Sequence, residues 1–166
     1  PDEVQHAARV AAVAAAEHGI HWTYAPMVDI ARDPRWGRIV EGAGEDPYLG
    51  SVLAAARVRG FQGDDLRKPD AVLATAKHFV AYGAAEAGRD YNVADISERT
   101  LHEVYLPPFK AAVDAGAQSI MASFNEIAGV PMHAHRPLIQ DLLRKKWGWD
   151  GLLVSDYSGV MELMPH

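Results

Sequence analysis

GLLVSDYSGV, residues 151–160, is a run of apolar and β-branched residues ending on a carboxylate, Asp156, with an aromatic, a serine and a glycine after it. The apolar part reads as a buried strand. Its acidic end has two readings. Aspartate is a good helix N-cap, and helix-forming sequence follows. Alternatively, Asp156 stands at the C-terminal end of a strand in a parallel α/β sheet, on the rim where ligands and catalytic groups collect. The rest of the chain decides between them.

Upstream of this strand, Pro137 opens an amphipathic helix to about Lys146, with Leu138, Leu142 and Leu143 on one face. SIMASF (119–124) and VLATAKHF (72–79) read as two further strands, and HWTYAPM (21–27) as a short first one. Helices are expected between them. One covers the alanine-rich residues 3–18, closed by Gly19, and a second runs from Asp46-Pro47 to about Arg59. A third is capped by Ser97 and must kink or restart at Pro107-Pro108. Long polar loops, 29–46 and 82–96, follow the first two strands.

Strands alternating with helices imply parallel pairing through right-handed crossovers. The expected fold class is therefore α/β, with about four βα units. An eight-stranded barrel takes about 250 residues, so four units make a partial (β/α)8 TIM barrel. No GxGxxG or P-loop follows any strand, which disfavours a doubly wound nucleotide-binding sheet. The chain opens on Pro1 and passes straight into helical sequence, and it stops soon after another helix begins. It is expected to be cut from something longer.

With 49% hydrophobic and 23% charged residues, the 166-residue chain has ordinary globular composition. Its net charge of −6 argues against a nucleic-acid partner, which would need a basic face. The one basic run, Arg144-Lys145-Lys146, closes a predicted helix, where cations suit the macrodipole. The longest apolar run, Val10 to Ala16, is too short to cross a bilayer, and no membrane partner is expected. Absence of cysteine excludes thiol catalysis, thiolate metal sites and disulfides.

Four strand ends or following loops are polar: Asp29–Arg38, Lys77-His78, Phe124-Asn125 and Asp156. In a parallel sheet they converge on one rim. A carboxylate, several cations and aromatics in one cleft suit a hydroxyl-rich ligand, whose apolar faces Trp36, Tyr91, Phe124 or Tyr157 could cover. Lys77 and His78 are adjacent and would point to opposite faces of a regular strand, so both reach the cleft only if the strand is ending there. A metal-dependent barrel hydrolase is the rival, built on His133-Ala134-His135 with His78 and Asp156. Against it, that HxH lies in a loop just before Arg136-Pro137, and Lys77 would put a cation beside the metal. Neither a metal nor another cofactor is expected.

RDPRWGR (32–38), GEDPYLG (44–50), AKHFVAYG (76–83), GRDYN (88–92), MASFNEIAGVP (121–131) and WGWDGLLVSD (147–156) together resemble glycoside hydrolase family 3. The resemblance is to the N-terminal barrel domain of its β-glucosidases, over nearly the whole chain and in the family's order and spacing. It implies that residues 1–166 are a fragment of one such domain. It further implies retaining hydrolysis of β-linked glucosides or xylosides through a covalent glycosyl-aspartate, with Asp156 as nucleophile. Lys77 and His78 match the pair that holds sugar hydroxyls, and Arg38 the arginine that joins them. Tyr157 is a further substrate contact, and Phe124 falls where some members place a tyrosine. The loop VAYGAAEAGRDYN lacks the histidine of the branch that cleaves N-acetylglucosaminides, which favours the glucosidase or xylosidase branch.

Retaining glycosidases need a second carboxyl group as acid/base. On chemistry alone Glu41, Glu45, Glu86 and Glu126 are all candidates. The resemblance implies instead that it comes from a C-terminal sandwich domain, and that an acidic sugar anchor precedes Pro1. The chain is then the nucleophile half of a site, expected to be inactive alone, with a β-glucoside or oligosaccharide as substrate. Arg38 and Lys77 are expected beside Asp156, favouring its ionised form. Family resemblance favours a periplasmic or secreted location. A non-catalytic sugar-binding fragment is the remaining alternative.

Overall fold

Alanine-rich sequence with Asp2 and Glu3 in the first turn forms helix α1, Asp2–Glu17, its acidic end suited to the helix dipole. The chain leaves it through Gly19 at φ +77°, a left-handed position that glycine adopts freely. The computed structural model describes residues 1–166. Helix α2, Pro47–Gln62, starts as predicted: the Asp46 carboxylate accepts the Leu49 N–H at 2.7 Å, and Pro47 takes the first helical position. α1 lies against α2 at Gly60, where a Cβ would come within 2.5 Å of Ala8 Cβ and Gln5 O.

Strand β1, Thr75–Phe79, pairs in parallel with β2, Ser119–Ala122. A two-residue-strand hairpin follows, β3 (Glu126–Ile127) with β4 (Val130–Pro131). It turns on Ala128 and Gly129, both at positive φ as a tight hairpin turn requires. The last strand, β5 (Leu152–Ser155), pairs in parallel with β2, which is central in the order β1-β2-β5. All four residues of β2 are buried, as fits a strand covered on both faces.

The segment predicted as a first strand, HWTYAPM, runs beside β1 without becoming a regular one. It touches β1 and its approach through single parallel bridges, Trp22 to Leu73 and Met27 to Lys77. Hydrogen bonds from Thr75 N–H to Ala25 O (2.8 Å) and Lys77 N–H to Pro26 O (3.1 Å) hold it there. Pro26, after a cis peptide bond, has no N–H to return, so a continuous ladder cannot form.

Ser97 caps the short helix α3, Glu98–Thr100, which widens into a π-type turn at Leu101–Tyr105. Helix α4, Pro107–Asp114, restarts at the proline pair. Helix α5, Pro137–Lys146, also winds with π pitch and buries Leu138, Ile139, Leu142 and Leu143. The main core joins sheet and helices, with Phe79 against Phe109 edge-to-face at 5.2 Å. No helix is long and apolar enough to cross a membrane. The helix expected after Asp156 is only a single 3₁₀ turn, Met161–Leu163.

The long loops 29–46 and 82–96 interlock on the rim beyond the C-terminal strand ends. Trp36 is fully buried, and its Nε1–H donates to Asp90 Oδ1 at 2.8 Å. A Cβ on Gly88, at φ +65°, would lie 2.8 Å from Trp36 N, and one on Gly83 only 2.1 Å from Ile30 O.

Candidate active site

Asp156 directly follows β5, and its surroundings dispose of the capping reading. One carboxylate oxygen, Oδ1, accepts the N–H of Tyr157, the next residue, at 2.7 Å. The following 3₁₀ turn begins five residues on, beyond reach of a cap. The other oxygen, Oδ2, is buried without a hydrogen-bond partner and lies 3.6 Å from His78 Nε2. A buried carboxylate oxygen left open is costly unless something else is meant to meet it.

His78 reaches Asp156 because β1 is irregular there. Lys77 pairs with Met121 and Phe79 with Ala122, so His78 is the extra residue of a bulge. The Lys77–His78 and Phe79–Val80 peptides are cis. The sequence led to the expectation that the strand ends at this pair; it runs on to Phe79, with a bulge at His78 instead. His78 is 1% exposed and its Nδ1 lies 2.7 Å from Oδ2 of Asp29, itself 2% exposed. The same oxygen accepts the His78 backbone N–H at 3.1 Å. The ring also packs edge-on against Tyr82 at 5.0 Å.

Arg38 is close by but occupied. It forms a bidentate pair with Glu41, Nε to Oε1 at 2.6 Å and Nη2 to Oε2 at 3.0 Å, and lies 5.6 Å over the Tyr82 ring. Arg38 was expected beside Asp156; the anion it binds is Glu41, inside the same loop. The Arg38 hydrogen bond in turn holds the Glu41 carboxyl below its ordinary 4.5, against a smaller opposing effect of burial. Glu41 therefore stays ionised, which removes it as a proton donor. Burial pushes the half-buried Lys77 ammonium below its ordinary 10.5. The Arg38 charge adds to this, and Glu41, Asp156 and Asp29 oppose it.

The aromatics divide. Phe124 is half-buried and stacks edge-to-face with Tyr91 at 4.9 Å and Tyr82 at 6.1 Å. It lines a shallow hollow with Tyr91, Glu126, His133 and Gly159. Tyr157 is 86% exposed, and its ring stands apart from the cluster. Trp36 is corrected from sugar contact to loop packing, since its faces are covered within the protein.

Asp29 and Tyr82 escaped the sequence reading as individual site residues, and His133 was weighed there only as a metal ligand. His133 Nε2 accepts the backbone N–H of Asp156 at 3.2 Å, which fixes the backbone bearing the carboxylate. Burial lowers the His133 pKa, consistent with a neutral ring accepting that bond. His135 Nδ1 accepts the Leu138 N–H at 3.4 Å. The HxH pair thus serves two backbone amides, and no three acidic or histidine side chains are grouped to hold a metal.

The family model for the glycosyl hydrolase family 3 N-terminal domain matches residues 1–166. The chain belongs to glycosyl hydrolase family 3. Among family 3 relatives, it is 44% identical to a periplasmic β-glucosidase of Salmonella typhimurium, over 99% of this chain and 22% of that protein. It is 42% identical to a β-xylosidase of Formosa agariphila, over 98% of this chain and 23% of that one. The crystal structure of a β-glucosidase from Listeria innocua in complex with isofagomine superposes with a TM-score of 0.97 at 45% identity. That superposition covers 99% of this chain and 24% of the Listeria chain. The chain thus spans just under a quarter of the length of these family 3 proteins. Its parallel strands and flanking helices are part of the family's (β/α)8 barrel.

Proposed function

We propose that this chain is a piece of the N-terminal barrel domain of a retaining β-glycosidase and carries the nucleophile half of its site. The observation that supports this most is Asp156 Oδ2, buried, without a hydrogen-bond partner and 3.6 Å from His78 Nε2. In this reading Oδ2 attacks the anomeric carbon of a β-glucoside or β-xyloside. The bond to the leaving oxygen breaks as a carboxylic acid from elsewhere in the protein protonates it. Water then opens the glycosyl-aspartate, giving its proton back to that same group.

Within the chain, Lys77 donates hydrogen bonds to sugar hydroxyls and His78 Nε2 accepts one, and the Arg38–Glu41 pair shapes the charged wall behind them. Glu41, held ionised by Arg38, does not suit the acid role, and the acid/base is assigned, as the family resemblance implies, to a domain C-terminal to this chain. The β-glucosidase and β-xylosidase relatives support the substrate class.

The test is the stereochemistry of the product. The full-length protein, given an aryl β-glucoside or β-xyloside, should release the β-anomer first, followed by proton NMR before mutarotation. First release of the α-anomer would mean direct displacement by water, and Asp156 would then be no nucleophile.

A further inference from the structure

Asp29 belongs to none of the motifs quoted above, yet its carboxylate is the first member of a buried row, Asp29–His78–Asp156. We infer that Asp29 is a positioning residue, which fixes the His78 proton on Nδ1 and so aims Nε2 at Asp156 and the bound sugar; this rests on the site proposed above.

One oxygen of Asp29 takes two bonds from the same residue, the ring nitrogen at 2.7 Å and the backbone N–H at 3.1 Å. A carboxylate only accepts, so the Nδ1 facing it must carry the hydrogen. The second bond satisfies the N–H of the residue that the bulge takes out of the ladder. Ring and backbone are therefore held together, in a place too buried for water to substitute. What remains is Nε2, facing an Asp156 oxygen with no other partner. Tyr82 blocks the ring from swinging to one side. Without Asp29 the bulge N–H is orphaned and the imidazole is free to exchange tautomers, so its functional nitrogen loses a defined state.

The experiment compares Asp29→Ala and Asp29→Asn with the parent in the full-length protein. Steady-state kinetics on an aryl β-glucoside are read beside ¹⁵N-edited NMR of histidine-labelled protein, which reports the His78 tautomer directly. Asp29→Ala should lower kcat/KM about 100-fold, the scale of misplacing a contacting group by about an ångström. The same variant should convert the His78 signal from a single Nδ1–H form to a mixture. Asp29→Asn keeps an acceptor oxygen, so it should keep the Nδ1–H form and recover most of the lost turnover.

Asp29→Ala with full turnover, or with turnover lost while His78 stays wholly Nδ1–H, would overturn the inference. So would an Asp29→Asn variant as poor as Asp29→Ala. An Asp156→Gly variant assayed alongside separates the two claims. If it retained turnover, the site reading itself would fall, whatever the tautomer shows.

Discussion

Replacing Asp156 by glycine in the full-length protein lowers kcat by about 10⁴-fold or more, the scale on which removing a covalent nucleophile acts. The loss is confined to chemistry. Lys77 and His78 are untouched, so a competitive sugar-like inhibitor should still bind. Backbone effects are small, because the Asp156 carboxylate makes only one hydrogen bond, to the adjacent Tyr157 N–H. The emptied space beside His78 also admits a small anion. Azide at high concentration should restore part of the turnover and yield an α-glycosyl azide from a β-glycoside, since a single displacement inverts the centre. Product analysis by NMR checks this. Turnover within tenfold of the parent, or a β-glycosyl azide, would contradict the assignment.

Gly83→Ala is the substitution expected to damage the fold most. The added Cβ would lie 2.1 Å from Ile30 O, 2.9 Å from Ile30 C and 3.3 Å from Ala31 Cα. All three are backbone atoms of a buried segment, so no rotamer relieves the clash. Either the loop after β1 or the loop carrying Asp29 must move. A cost of about 3 kcal/mol is expected, at the upper end for overpacking. Gly37→Ala is the matched control: it meets nothing within 4 Å and should stay within about 0.5 kcal/mol of the parent. Denaturant unfolding of the full-length variants compares them, and equal midpoints would show that the two loops do not interlock as described. Because Asp29 immediately precedes Ile30, Gly83→Ala should also weaken the His78 contact and reduce turnover.

Much of the architecture was legible because apolar periodicity and stop signals agree. Asp46-Pro47, Ser97 and the proline pair 107–108 each mark a helix start where one is found. Strand ends were legible too, since packing alone gives little reason to close an apolar run with a carboxylate or a Lys-His pair. Two adjacent polar residues facing one cleft suggested that the strand ends at Lys77-His78, whereas it bulges at His78 and continues to Phe79, a detail that the apolar pattern does not carry.

What stayed hidden depends on distance along the chain. Asp29 is one acid among several in its loop, and only the approach of a residue 49 positions away singles it out. Trp36 shows the converse failure: an aromatic in a polar loop does not say whether it faces ligand or protein, and here Asp90 and Tyr82 claim it. Arg38 was expected on the rim, but its bond to Glu41 depends on a local turn, Ile39–Glu41, that apolar pattern does not encode. The π pitch of α5 is equally silent, because Leu138, Leu142 and Leu143 share a face at either pitch.

The most direct measurement is to inactivate the full-length protein with a 2-deoxy-2-fluoro β-glucoside bearing a good leaving group, digest it, and locate the added sugar by mass spectrometry. The glycosyl group should be found on the peptide carrying Leu152–Tyr157, esterified to Asp156. Label on Glu41, Glu45, Glu86 or Glu126, or inactivation with Asp156 unmodified, would contradict the central claim.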